Sequence, residues 1–423
     1  MNRKSFDFDV ITLLLYLGLV LLGWMTIYAV SSANYGTEIF NFAVLHGKQL
    51  VWIGVALIVG ILVLLLDHRF LYGVAYVAYL AAIVGLILVL FIGKEVNGAK
   101  SWLIIGGQPF QPSEFAKFAT ALALAKYMSR LNFSLSNGQD LAVVLGMILL
   151  PAVIVIFQND TGSALVFGSF LIVLFREGLH PLVPIVLIMI GGVVLLTLFL
   201  GTPWWVVGGV WLIGLAVYLL TFNARRWGRN LAVFMVLAAV FSGVALSADW
   251  GIGQLQDHQQ IRLKVLFDPS IDPQGAGYNV IQSKIAIGSG GFMGKGYLQG
   301  NYTKYQFVPK QETDFIYCAV GEEYGWLGSV AVLLGFFLLI WRLQFLSENS
   351  KTRFARIYGY SVVSILFFHV LVNIGMTIGL VPVIGIPLPF FSYGGSSLLG
   401  FTVLIFVLIN LFSSRIAVLG SKA

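Results

Sequence analysis

Apolar runs almost free of charge succeed one another along most of the chain, and nothing limits its fold more. A bilayer crossing needs about 20 predominantly apolar residues. Read as spans, the runs are 10–30, 50–66, 70–92, 113–128, 141–157, 163–175, 182–200, 204–222, 231–249, 315–341, 357–380 and 398–414. The two weakest are 113–128 and 163–175, which are short and carry polar residues. Only 10% of the 423 residues are charged and 59% are hydrophobic, whereas a soluble domain carries roughly 25% charged residues. A soluble globular enzyme and a disordered chain are both excluded. The expected fold is an all-α polytopic membrane protein of about twelve transmembrane helices with a large extracytoplasmic loop, and its solvent is lipid. Val10 to Val30 is too long for a signal h-region and reads as a retained first span.

Orientation follows from Lys and Arg in the connecting loops. One set holds Arg3, Lys4, Arg69, Lys126, Arg130, Arg176, Arg225, Arg226, Arg229, Arg342, Lys351, Arg353, Arg356, Arg415 and Lys422. The short loops of the other set hold only Lys48, Lys94 and Lys100. The first set is therefore expected in the cytoplasm, with both termini. Residues 250–314 form a long outer loop that is nonetheless basic, with Arg262, Lys264, Lys284, Lys295, Lys304 and Lys310. Long translocated loops escape the charge rule. This charge suits either an anionic substrate at the outer leaflet or anionic headgroups.

A single cysteine, Cys318, leaves no intrachain disulfide and no Cys-based zinc site. The five histidines (His46, His68, His180, His258, His369) show no metal-ligand spacing. In 97–117, NGAKSWLIIGGQPFQPSEFAK, Asn97-Gly98 and Gly106-Gly107 are turn signals. Glu114 and Lys117 share one helix face, as a structural ion pair or as part of a site. Asp160, in 157–163 (FQNDTGS), is a buried functional acid or a helix cap. The string 288–296, GSGGFMGKG, is no Walker A loop, because Ser289 and Gly296 fall where Gly and Ser/Thr are needed. It reads as a flexible turn or a close backbone approach. In 312–326, ETDFIYCAVGEEYGW, Asp314 meets a membrane helix at the end of the basic loop, with Glu322 and Glu323 two turns further in. Asp314 is either a general base or, with Thr313, an N-cap. The Pro- and Gly-rich 373–397, NIGMTIGLVPVIGIPLPFFSYGGSS, needs irregular backbone, tolerated in a membrane only when buried or lining a cavity.

Together these strings resemble the shape, elongation, division and sporulation (SEDS) family, the polytopic cell-wall glycosyltransferases that include RodA and FtsW. NGAKSWL with QPSEFAK, YNVIQSKIAIGSGGFMGKG, TDFIY with GEEYGWLG, and NIGM with PLPFFSYGGSS carry the resemblance, which runs over 10–414. The QSKIAIGSGG form is more like the elongation branch. The resemblance implies polymerisation of lipid II into β-1,4 glycan at the outer face of the cytoplasmic (inner) membrane. The implied partners are undecaprenyl diphosphate-linked glycan, a class B penicillin-binding protein (a transpeptidase) and membrane lipids, with no nucleic acid. It places the catalytic aspartate on Asp314, and substrate-binding residues on Trp102, Glu114, Lys117, Asp160, Glu322, Glu323 and the string Ser392, Tyr393, Gly394, Gly395, Ser396. Three positions depart from the family's pattern. Gln158-Asn159-Asp160-Thr161-Gly162-Ser163 stands for QPDLGT, Lys310 stands for a frequent Glu, and about twelve spans stand for ten. The excess falls at 204–249, an added hairpin in a single membrane domain. Gly208, Gly209 and Gly214 would allow it close helix packing, at the periphery.

The implied chemistry is attack by a sugar 4-hydroxyl on C1 of a sugar carried on a diphosphate. A weak nucleophile needs a base, and the diphosphate leaves as a stable anion. One carboxylate plus positive charge suffices, from Lys100, Lys117, Arg262, Lys264 and Lys310 or from a divalent cation (Mg or Mn). A transporter that flips lipid II and a non-catalytic scaffold for the transpeptidase are the rival expectations.

Overall fold

Backbone amides in hydrocarbon have no water to bond, so a chain this apolar satisfies them within helices. The computed structural model describes residues 9–35, 38–96, 98–220, 227–254 and 257–420, most of them helical. Arg3, Lys4, Asn97, Arg225, Arg226 and Lys422 lie outside the described residues. The chain divides into two compact units, one running to Leu179 and resuming at Asn279, the other His180–Tyr278.

The first unit opens with α1 (Val10–Tyr35), α2 (Leu45–Leu65) and α3 (His68–Ile92). Then come three strands, β1 (Lys94–Val96), β2 (Ala99–Ile105) and β3 (Gln108–Phe110). After them follow α4 (Pro112–Met128), α5 (Gly138–Phe157), α6 (Thr161–Val166) and α7 (Phe170–Arg176). The second unit holds α8 (Leu182–Leu200), α9 (Pro203–Leu220), α10 (Trp227–Gly253) and α11 (Asp257–Val265). Helix α12 (Ala276–Ser289) leads back to the first unit, completed by α13 (Asn301–Lys304), α14 (Ile316–Glu348), α15 (Arg353–Thr377) and α16 (Gly395–Gly420).

Among the described residues ten helices are long and apolar enough to cross a bilayer. Of the twelve expected spans, 113–128 and 163–175 are not among these ten. Residues 113–128 form α4, only 17 residues long and carrying Glu114, Lys117 and Lys126. Residues 163–175 are broken into α6, a 3-10 turn at Phe167–Ser169, and α7. The fold is mostly helical, as expected, with one small addition: β1, β2 and β3 form an antiparallel sheet. Ile105 pairs with Gln108, leaving Gly106-Gly107 as a two-residue turn with φ of 57° and 78°. Such tight turns need positive φ at both positions, which glycine adopts without steric cost.

Helix α15 is the centre of the first unit, packed by α14, α4, α7 and α16. Its polar residues sit inside because each finds a backbone partner. Ser361, Ser364 and Thr377 donate to the carbonyls four residues back, at 2.7–2.9 Å, as hydroxyls in apolar helices do. Helix α14 is not continuous: Gly325 has φ 64° and ψ −158°. The glycine string fits that break. Trp326 N donates to Gly291 O at 2.9 Å, and Lys295 and Gly296 donate to the carbonyls of Glu322 and Glu323 at 3.0 Å. A Cβ on Gly294 would overlap the Glu323 carbonyl, and one on Gly290 the Gly321 carbonyl. The close backbone approach expected at 288–296 is what these glycines permit.

In the second unit α9 and α10 pack against one another. Gly214 meets a ring: a Cβ there would stand 2.6 Å from Phe234 Cε2. Gly208 and Gly209 face open space, so the close packing expected of all three glycines occurs at Gly214.

Gly294→Ala should force the 290–296 string off α14. Overpacking of this kind costs about 1–3 kcal/mol, here added to strain at a φ of 81°. We expect a lower melting temperature in detergent for Gly294→Ala, and none for Gly146→Ala, where a Cβ meets nothing. Equal melting of the two would refute this packing.

Candidate active site

Asp314 lies in the turn before α14, partly exposed. The N-cap position of α14 is Phe315, with no capping side chain; Thr313 turns its hydroxyl to Lys310 O instead, at 3.3 Å. The backbone around Asp314 is held from several sides. Its N–H donates to Lys310 O at 3.1 Å. Asn373 donates from Nδ2 to Asp314 O at 2.9 Å and to Ile386 O at 2.8 Å. Ser392 Oγ donates to Thr313 O at 2.5 Å and accepts from Leu388 N at 2.8 Å. Tyr393 N donates to Glu312 O at 2.8 Å. The irregular 378–394 segment is therefore a brace around the TDF turn. Gly385, with φ 78°, faces the carboxylate, and a Cβ on it would sit 3.4 Å from Asp314 Oδ2.

Behind this brace is a buried charge cluster. Lys117 Nζ donates to Glu114 Oε1 at 2.8 Å and to His369 Nε2 at 3.0 Å. The Lys117 and Glu114 side chains are 1% and 3% exposed. His369 Nδ1 reaches Pro387 O at 3.1 Å. A carbonyl only accepts and an ammonium only donates, so the proton of His369 is on Nδ1. The ring of Phe401 lies 5.3 Å from the ammonium. The expected ion pair of Glu114 and Lys117 is present, and it extends to the brace through His369.

Other expected site residues have structural partners. Asp160 caps α6, accepting from Ser163 N at 3.0 Å and from Gln111 Nε2 at 2.8 Å. Ser396 accepts from Gln111 N at 3.2 Å, and Gly394 N donates to Gln49 Oε1 at 3.2 Å. Gly395 leaves room for Trp52, whose ring a Cβ would overlap. The phenol of Tyr393 is pushed up by burial. Lys100 Nζ donates to the last carbonyls of α3, Leu90 O at 2.8 Å and Phe91 O at 3.2 Å. Trp102 is half-buried in β2, paired with Lys94. Glu322 is buried and accepts from Lys295 Nζ at 2.7 Å, Tyr302 N at 2.9 Å and Thr303 N at 2.7 Å. Glu323 accepts from Leu298 N at 3.2 Å. The two glutamates thus fasten the loop after α12. Lys310 is exposed beside Asp314, and Arg262 and Lys264 lie in the last turn of α11, in the second unit.

His369, Asn373, Gln111 and Lys295 were not singled out as site residues by sequence reasoning. Asn373 lies inside the NIGM string, which is the one signal that pointed to it. Among the described residues no three His, Cys, Asp or Glu side chains converge as a metal cage. A magnesium-type ion commonly takes one or two carboxylates plus substrate phosphates, and Asp314 would supply one such carboxylate.

The chain has relatives over most of its length. It matches the family model FtsW/RodA/SpoVE, described as cell cycle protein, over residues 9–207 and 207–416. The chain belongs to that family, as its motifs implied. It is 32% identical over 403 residues to the peptidoglycan glycosyltransferase MrdB of Escherichia coli K12, covering 94% of this chain and 92% of that one. It is 34% identical over 427 residues to the peptidoglycan glycosyltransferase RodA of Treponema pallidum, covering 94% and 95%. A solved chain from a peptidoglycan synthase complex of polymerization and crosslinking superposes with a TM-score of 0.69 at 28% identity, over 97% and 98% of the two chains. The crystal structure of RodA from Thermus thermophilus shares the fold, with a TM-score of 0.62 at 23% identity over 98% and 99%.

Lys117→Met should strand Glu114 in the core. Breaking a buried pair from one side costs about 3–5 kcal/mol. We expect a large fall in melting temperature, partly recovered when Glu114→Gln is added. A double variant no more stable than the single one would show that the pair is not the reason.

Proposed function

We propose that this chain is a peptidoglycan glycosyltransferase that polymerises lipid II into β-1,4 glycan for cell elongation and shape. The names of its relatives support the reaction class. The observation that carries the chemical role is the placement of Asp314, at the mouth of a membrane helix, with its backbone braced and its carboxylate facing Gly385. Asp314 takes the proton of the acceptor 4-hydroxyl as that oxygen bonds to C1 of the donor sugar. The C1–O bond to the diphosphate breaks with inversion, and the diphosphate leaves with the electron pair. A base at the right distance contributes typically 10²–10⁴-fold.

Of the cations considered, Lys117 and Lys100 are engaged with protein partners. Lys310, exposed four residues before Asp314, is our choice for the leaving diphosphate. Glu322, Glu323, Asp160 and the 392–396 string act by shaping the site. The partner is a class B penicillin-binding protein, in keeping with the synthase complex that the fold matches. The site faces the outside of the cytoplasmic membrane, both termini face the cytoplasm, and the 204–249 hairpin supports stability or partner contact.

Purified chain with its partner should polymerise lipid II. Asp314→Asn should lower the rate at least a hundredfold, with unchanged melting. Near-normal glycan synthesis by that variant, or none by the wild-type complex, would overturn the proposal. Cys318 is buried, so added cysteines report topology. Gln108→Cys should be labelled from outside and Leu131→Cys from the cytoplasm, and the reverse pattern would invert the orientation.

A further inference from the structure

Asn373 is fully buried on α15, and its carboxamide is used in an unusual way. Both donor bonds of Nδ2 go to backbone carbonyls on two different segments, Asp314 O in the TDF turn and Ile386 O in the brace. Its Oδ1 has no hydrogen-bond partner among the described residues. The opposite rotamer would set an acceptor against two acceptors, so the two donor bonds fix the orientation. An orphaned buried acceptor is destabilising, and the arrangement retains it.

The two carbonyls belong to residues whose relation matters for a base. Ile386 follows Gly385, the residue facing Asp314 Oδ2. His369, one turn before Asn373 on the same helix, holds the next carbonyl, Pro387 O. One face of α15 thus fixes the brace at successive residues and the TDF turn at one. We propose that Asn373 is a positioning residue for Asp314, setting the carboxylate against the surface formed by Gly385. This inference rests on the glycosyltransferase reading above. Asn373 touches no reacting atom. It acts on turnover because a misplacement of about 1 Å at a base can cost on the order of a hundredfold in rate.

Buried asparagine also serves as a plain structural clamp in this chain, which provides a control. Asn410 Nδ2 donates to the carbonyls of Val63, Leu64 and Leu66. It lies 14 residues beyond Ser396 along α16, about 21 Å at the helical rise. Asn373→Ala and Asn410→Ala remove similar clamps, one beside the base and one remote from it.

The test measures lipid II polymerisation by the complex with its partner transpeptidase, alongside melting temperature. Asn373→Ala should lower kcat at least tenfold with KM within twofold of wild type, while Asn410→Ala stays within twofold in both. Asn373→Ser, which creates a smaller cavity, takes its place if the alanine variant fails to insert, and the same criteria apply. Normal kcat for the Asn373 variant overturns the proposal, as does an equal loss in Asn410→Ala at matched melting temperature. An inactive wild-type complex would instead overturn the glycosyltransferase reading, so the two failures are distinct.

Discussion

A charge taken out of water must be met by another group, and the first unit is arranged around one such meeting. The Lys117 ammonium is held by Glu114 and His369 among helices α4, α15 and α16. Desolvating a charge costs several kcal/mol per ion even after relaxation. The geometry is therefore strict, and it fixes α4 to α15. Through His369 and Pro387 it also fixes the irregular segment that reaches the acid. The support of the site is thus a buried charge cluster.

Much of what looks like chemistry in the motif strings is scaffolding. Glu322 takes hydrogen bonds from Lys295, Tyr302 and Thr303 and so holds the loop against α14. Gly290 and Gly294 have no side chain because backbone lies against backbone there. Asp160 spends its oxygens on a helix start and on Gln111. These residues leave Asp314 as the acid whose position is set by others.

The helices were legible in the sequence because apolar length is a strong signal, and the glycine pairs announced turns. The strands of 94–110 were not. They are three to seven residues long, and their pairing depends on a glycine turn whose φ values no pattern of side chains displays. Glu114 and Lys117 could be paired on paper because they are three residues apart. His369 could not, since its partner on α4 lies 252 residues away in sequence. Asn373 stood inside a quoted string, but a role defined by two backbone carbonyls leaves no trace in residue types.

That separation has a consequence for how the protein is made. At about 5–20 residues per second, the 252 residues between Lys117 and His369 take roughly 12–50 s to synthesise. During that interval α4 has left the ribosome and α15 has not. Lys117 then has Glu114 alone, one turn away on its own helix. Because that partner is local, the nascent segment carries no net charge from this pair into the membrane, and the histidine joins a helix already neutralised. A pair split between distant helices would have left each half charged while it waited.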